Sequence, residues 1–131
     1  ECRKEIANDK RIFLVGYTPD VSSYLKLATY SISASHSEGF GLNVVESLSK
    51  GTPVIMTDIK VFDEFRALYP ILKPLTFKCG DFESLSMVLS KIYESNRLLM
   101  DDVMEDANIR FSSHEMGLKY LDYYKRLIDC K

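Results

Sequence analysis

The chain has 131 residues, of which 46% are hydrophobic and 27% are charged, and its formal net charge is −2. This length and composition suit one globular domain with a hydrophobic core rather than two domains. The near-neutral charge, with lysines and arginines scattered among acids, argues against nucleic-acid binding. No apolar run approaches the ~20 residues of a membrane span, and the polar N-terminal segment does not resemble a signal peptide.

The cysteines give no sign of a disulfide framework or a zinc site. Cys2, Cys79 and Cys130 are odd in number and widely spaced, and they form no C-x-x-C pair. Such pairs, or even numbers of cysteines, mark the common metal and disulfide patterns. We therefore expect reduced thiols, buried or near the chain ends, in a cytoplasmic protein.

Short apolar runs alternate with amphipathic segments from the start of the chain. The run at 11–15, closed by Gly16, predicts a strand. Pro19 and Asp20 then favour the start of a helix, and the run at 30–35 predicts the next strand.

The same alternation continues through the middle of the chain. Residues 42–50 predict a helix that ends at the following glycine, and 52–57 predict a third strand. A helix over 61–69 follows. Residues 71–77 predict a short edge strand or an extended segment, because Pro74 does not suit a central strand.

Three further helices are predicted in the last third of the chain, over 82–95, 96–111 and 113–128. Asp81 suits the N-terminal cap of the first. The first and the last each place apolar residues on one stripe. These residues are Leu85, Val88, Leu89, Ile92 and Tyr93 in the first, and Met116, Tyr120, Tyr123, Tyr124, Leu127 and Ile128 in the last.

Strands that alternate with helices over short connections are typical of parallel βαβ units. The predicted fold class is therefore α/β, with a Rossmann-like parallel sheet flanked by helices. Ligands of such sheets bind at the carboxyl ends of the strands. The loop "HSEGFG", residues 36–41, follows the strand at 30–35 and leads into a helix, so it lies at that edge.

The glycines of this loop favour an anion-binding backbone. Gly39 and Gly41 let the main chain curl, and the helix that follows adds unpaired N–H groups and a positive dipole end. The amides expected to face a ligand are those of Phe40, Gly41, Leu42 and Asn43. Such a cradle suits a phosphate.

Two glutamates flank the cradle. Glu38 precedes it and Glu46 lies about one turn into the helix. Carboxylates repel a diphosphate but accept hydrogen bonds from hydroxyl groups on either side of it. A nucleotide sugar has this layout, with sugar, diphosphate and ribose in order.

The stretch "EGFGLNVVE", residues 38–46, resembles the E-x7-E signature of retaining GT-B glycosyltransferases, particularly glycosyltransferase family 4. The resemblance extends over 10–58, through a strand ending in Gly, a linking helix, a strand ending in Ser, E-G-F-G, and a helix leading into G-x-P-V-I. It implies a donor-binding domain, the C-terminal half of a GT-B fold, in which a sugar moves from a nucleoside diphosphate to an acceptor hydroxyl with retention.

The resemblance also implies roles for individual residues. Glu38 matches the glutamate near the anomeric centre, the catalytic candidate, and Glu46 matches the one that accepts hydrogen bonds from the ribose. The remaining substrate-binding candidates are Gly39, Phe40 and Gly41 at the sugar, Leu42 and Asn43 at the diphosphate, and His36 beside the loop. The family implies no cofactor and no bound metal.

Departures from the family pattern concern the basic phosphate ligands. The G-R and K-G elements that usually open this domain are not found before residue 11. We therefore expect residues 1–131 to be part of a single nucleotide-sugar-binding domain that lacks its first βα units and the acceptor-binding domain, and to be inactive alone. Ala34 stands where the family commonly has Pro. Glu64 resembles the family's acidic residue beyond the third strand.

Other interpretations stay open. The domain could be a non-enzymatic nucleotide-sugar-binding module or a GT-B-type nucleotide-sugar epimerase. Phe40 could be a core plug in a simple strand-to-helix turn. His36 could carry a proton, touch the diphosphate or be a hydrogen-bonded structural group.

The expected partners follow from the resemblance. They are a nucleotide-sugar donor and a glycan or lipid-linked acceptor, held by the missing N-terminal domain, with a role in polysaccharide or glycolipid synthesis. The expected location is the cytoplasm, with peripheral association at the cytoplasmic membrane face.

Overall fold

The computed structural model describes residues 9–95 and 98–129. Cys2 and Cys130, predicted as reduced thiols, lie outside the described residues. The described chain is an α/β structure in which helices flank a parallel sheet, and this confirms the predicted fold class.

Three short strands form the sheet, in the spatial order β1, β2, β3. They are β1 (Ser31–Ser33), β2 (Val54–Thr57) and β3 (Thr76–Phe77). Both pairings are parallel, with Ser31 opposite Val54 and Met56 opposite Thr76. All four residues of β2 are buried, as expected of a central strand covered on both faces.

Helices connect and follow the strands. They are α1 (Val21–Leu27), α2 (Leu42–Leu48), α3 (Asp63–Leu68), α4 (Phe82–Glu94), α5 (Asp101–Arg110) and α6 (Ser113–Asp129), with 3-10 helices at Lys60–Phe62 and Pro70–Leu75. The Asp20 carboxylate caps α1 by accepting the Ser23 N–H at 3.1 Å. Asp81 caps α4 in the same way, accepting the Ser84 N–H at 3.0 Å. Both predicted caps are confirmed.

The predicted strand at 11–15 is wrong. Residues 12–16 have no regular secondary structure, and the side chains of this apolar run are between 49% and 80% exposed from Ile12 to Val15. The described residues offer this segment no neighbouring strand. A strand needs such a neighbour because its backbone N–H and C=O groups are otherwise unpaired.

The predicted strand at 71–77 is right only at its end. Residues Pro70–Leu75 form a 3-10 helix that buries Leu72 and Leu75, and the strand is limited to Thr76–Phe77. Pro70 at the first position of the 3-10 helix suits its fixed φ and missing N–H. The predicted edge position of this strand is confirmed.

The hydrophobic core surrounds β2. It contains Val44 and Leu48 of α2, Val54, Ile55 and Met56 of β2, and Phe62, Phe65, Tyr69, Leu72, Leu75, Phe77, Val88, Met100 and Ala107. Full burial of one such side chain stabilises a fold by about 1.5–3 kcal/mol. The core therefore holds α2, and with it the loop before α2, against the central strand.

The last helix, α6, packs only loosely against the rest of the described chain. No residue of α6 is buried, and its predicted apolar stripe, with Tyr120, Tyr123 and Leu127, is more than half exposed. The stripe predicted in α4 is buried at Val88, whereas Tyr93 is 93% exposed. Among the described residues, no helix combines the length and apolar character that crossing a membrane requires.

Candidate functional site

The loop 36–41 lies at the carboxyl end of β1 and leads directly into α2, as predicted. Gly41 is the N-terminal cap of α2 and adopts a left-handed conformation with φ 91° and ψ 51°. This region of φ and ψ favours glycine because a side chain clashes there with the backbone. Gly41 is also buried, and an added Cβ would lie 2.8 Å from Cε1 of Phe62. Glycine is therefore needed here for two reasons, the left-handed turn and the close approach of the Phe62 ring.

The Glu38 carboxylate is exposed to solvent, but a hydrogen bond restrains it. It accepts a hydrogen bond from the Ser35 hydroxyl at 2.7 Å. The backbone of Ser35 is fixed in turn, because the buried Thr57 hydroxyl at the end of β2 donates to its carbonyl oxygen at 2.8 Å. Two neighbouring strand ends thus determine where Glu38 lies.

The Asn43 side chain joins α2 to the end of β1. Its Nδ2 donates to the Ser33 hydroxyl at 2.9 Å, and its Oδ1 accepts the Val44 N–H at 2.9 Å. The Val44 and Val45 amides also donate to the carbonyl of Gly41. The amides of Leu42 and Asn43 have no acceptor among the described residues, so they are free to donate to a ligand.

His36 lies beside the turn that follows β3. Its Nδ1 is 3.2 Å from the Cys79 thiol. The Cys79 N–H donates to the Asp58 carboxylate at 2.8 Å, which ties this turn to the end of β2. The Cys79 thiol is partly exposed, and it forms no disulfide within the described residues. The His36 ring is thus hydrogen-bonded within the fold.

Phe40 packs into an aromatic cluster, defined by Phe40, Phe62, Phe65 and Phe111. The Phe40 ring lies edge-on to Phe65 and to Phe111, with ring centroids 6.0 Å apart in both pairs. Phe40 stays 42% exposed. It therefore anchors the loop without being a fully buried core residue.

The two acids beyond the loop face solvent. Glu46 is exposed on α2, one turn after the cradle, and the structure does not bring it into the hydrogen-bonded network of Glu38. Glu64 is exposed in the first turn of α3. It lines an open groove of about 790 Å³ whose walls include Phe40, Leu42 and Phe111. Within the described ranges, no group of three or more His, Cys, Asp or Glu side chains could hold a metal ion.

Several contacts of the site were not predicted from the sequence. Ser35 stands three residues before Glu38, a spacing that suits a hydroxyl-to-carboxylate hydrogen bond, so this contact carries a usable signal. Cys79 and Phe111 lie far along the chain from the residues they touch. Only the tertiary fold brings them to the loop.

The family model for glycosyl transferases group 1 matches residues 2–106. The chain belongs to this family. The matched range contains the loop 36–41, all of α2 and the three strands. It ends before Phe111.

Two relatives agree with this glycosyltransferase assignment. The O-antigen biosynthesis glycosyltransferase WclY of Escherichia coli is 30% identical over 118 residues, which cover 90% of this chain and 32% of the relative. The poly(glycerol-phosphate) alpha-glucosyltransferase of Bacillus subtilis (strain 168) is 46% identical over 59 residues, or 43% of this chain and 9% of the relative. The chain thus spans a third or less of each relative. No solved structure matches it significantly.

Proposed function

We propose that this group 1 glycosyltransferase domain binds the nucleotide-sugar donor of a retaining family 4 enzyme. The observation that carries the proposal is the loop at the end of β1. A carboxylate fixed by Ser35 and two free amides at the start of α2 lie within a few residues of one another. A nucleotide sugar offers hydroxyl groups to the first and a diphosphate to the second.

Each end of the loop has a separate role in this proposal. Glu38 is the catalytic residue, close to the anomeric carbon, and Gly39, Phe40 and Gly41 form the backbone against the sugar. The Leu42 and Asn43 amides meet the diphosphate, where N–H donors stabilise the charge that develops as it departs. Glu46 accepts hydrogen bonds from the ribose.

His36 contributes at the rim of the donor site. Its ring is oriented by the Cys79 thiol, 3.2 Å from Nδ1. An imidazole fixed through one nitrogen can present the other to a substrate group. We place the diphosphate within its reach.

The wider reaction is also part of the proposal. A hexosyl group passes to a hydroxyl of a glycan or lipid-linked acceptor, without a bound metal, in polysaccharide or glycolipid synthesis at the cytoplasmic membrane face. The names of both relatives support this direction, since one concerns O-antigen biosynthesis and the other poly(glycerol-phosphate) glucosylation.

The test is donor turnover in the full-length protein carrying Glu38→Gln or Glu46→Gln. Each variant keeps the size of the side chain and removes its charge. We expect either change to lower turnover by about tenfold or more, the scale of losing a charged hydrogen-bond acceptor. Glu94→Gln, at the exposed end of α4, is the matched control and should retain wild-type turnover.

Wild-type turnover in both site variants would overturn the proposal. An isomerised nucleotide sugar in place of a transferred sugar would identify an epimerase. Saturable donor binding by wild-type protein that turns over no donor would identify a non-enzymatic module.

A further inference from the structure

Phe111 contacts the donor loop from outside the matched family range. It follows the last residue of α5, five residues beyond the end of the match at 106. Its ring lies edge-on to Phe40, with centroids 6.0 Å apart and an interplanar angle of 70°. The same ring packs against Phe65 at 5.9 Å. The corner between α5 and α6 therefore touches the E-G-F-G loop through one side chain.

Polar contacts hold this corner in place. The Tyr69 hydroxyl, at the end of α3, donates to the Asp106 carboxylate of α5 at 2.6 Å. Arg110 donates two hydrogen bonds to the same carboxylate, at 2.8 and 2.9 Å. The hydrogen bonds from Arg110 and Tyr69 lower the pKa of Asp106, so the carboxylate is charged at neutral pH. The residue before Phe111 is thus bound to α3 through Asp106.

A second tie joins α5 to the helix that carries the cradle. Asn108 Nδ2 donates to the carbonyl of Ser49, just after α2, at 3.0 Å. The end of α5 is therefore hydrogen-bonded to the ends of both α2 and α3, and these contacts fix the position of Phe111 beside the loop.

Next to Phe40, the loop has open space at Gly39. Within residues 9–95 and 98–129, and apart from its two chain neighbours, no atom lies within 4 Å of a Cβ added at Gly39. Among the described residues, the aromatic partners of Phe40 are Phe65 and Phe111. Phe65 belongs to α3 and is buried, whereas Phe111 closes the cluster from the side of α5 and α6.

We propose that Phe111 is a positioning residue for donor binding, which acts by holding Phe40 and so the backbone of Gly39, Phe40 and Gly41. This inference rests on the proposed function, because it assigns Phe111 to the donor loop. The proposed action of Phe111 on the donor runs through its contact with the Phe40 ring.

The test is a double-mutant cycle on the full-length protein with Phe40→Leu, Phe111→Leu and both changes, measuring donor KM, kcat and thermal unfolding. Edge-to-face ring pairs contribute about 0.5–1.5 kcal/mol, which corresponds to about two- to twelvefold in an equilibrium constant. We expect Phe111→Leu to raise donor KM by that factor and to leave kcat within about twofold. The two changes together should cost less than the product of the single effects.

Two companion variants separate positioning from simple packing. Phe111→Tyr keeps the ring, so it should bring donor KM back close to the wild-type value. Ile109→Ala truncates a 58% exposed neighbour on α5 and should leave donor KM unchanged. A packing role alone would lower the unfolding temperature and the active fraction while donor KM stayed constant.

The result that overturns the inference is an unchanged donor KM in Phe111→Leu, or single effects that multiply without coupling to Phe40. If Glu38→Gln still lowers turnover by about tenfold or more in that case, the proposed function stands and only the role of Phe111 fails. If Glu38→Gln and Glu46→Gln both turn over donor at the wild-type rate, the proposed function fails, and the inference that rests on it fails as well.

Discussion

Replacing Gly41 with alanine should destabilise the fold for two separable reasons. The backbone at Gly41 has φ 91°, where a side chain costs about 1–2 kcal/mol. The added Cβ would also lie 2.8 Å from Cε1 of Phe62 and 3.4 Å from Cε2 of Phe65. Both rings are buried and cannot swing into solvent, and overpacking of this kind costs about 1–3 kcal/mol. We therefore expect Gly41→Ala to lower the free energy of unfolding by about 2–5 kcal/mol.

Two other glycines separate the backbone cost from the clash. Gly80 has φ 75°, but its added Cβ would meet only Cε1 of His36, at an ordinary 3.7 Å. Gly80→Ala should cost about 1–2 kcal/mol. Gly39 has neither a positive φ nor a neighbour within 4 Å, so Gly39→Ala should not destabilise the fold.

The assay is urea unfolding followed by far-UV circular dichroism, with the slope compared among the variants. The expected order of stability is Gly39→Ala, then Gly80→Ala, then Gly41→Ala. Equal losses for Gly80→Ala and Gly41→Ala would show that the contact with Phe62 adds nothing. No loss for Gly41→Ala would refute the reasoning altogether.

Two further predictions concern hydroxyl groups. Ser35→Ala removes the donor to Glu38 and should lower donor turnover severalfold, with a smaller loss in a Glu38→Gln background; equal losses in both backgrounds would contradict the contact. Burial, and then the hydrogen bond to Asp106, raise the pKa of Tyr69 to about 12, so the folded protein keeps a proton that the unfolded chain loses above about pH 10. The stability that Tyr69 contributes should therefore fall as the pH rises from about 10 to about 12. Urea unfolding at these two pH values should show a smaller fall in the free energy of unfolding for Tyr69→Phe than for the wild type. Identical falls would contradict the raised pKa of Tyr69.

The elements next to the site were the most predictable from the sequence. The run at 30–35, the glycine-rich loop and the helix from Leu42 each carry local signals, and the structure confirms all three. Periodicity, caps and glycines act over a few residues, so they remain readable in one sequence. The family match covers this same part of the chain.

Features that depend on a partner far along the chain were predicted wrongly or not at all. The apolar run at 11–15 has the composition of a strand, but composition does not supply the neighbour that pairs with it. The contact of His36 with Cys79 spans 43 residues of sequence. The apolar stripe of α6 predicts a helix, which the structure shows, but its periodicity does not say what covers its exposed side chains.

The contacts that restrain the loop determine how much of its backbone must still be ordered when the donor binds. On one side, Thr57 fixes the backbone of Ser35, and Ser35 fixes Glu38. On the other side, Phe40 is held by two rings, and Gly41 is buried at the start of α2.

Gly39 lies between these restraints, where the described residues leave open space for an added Cβ. Ordering one backbone residue costs about 1–2 kcal/mol, and a site that is ordered beforehand avoids that cost on binding. Weakening either restraint should therefore lower donor affinity even where no atom of the donor is touched, and the two kinds of restraint should do so independently.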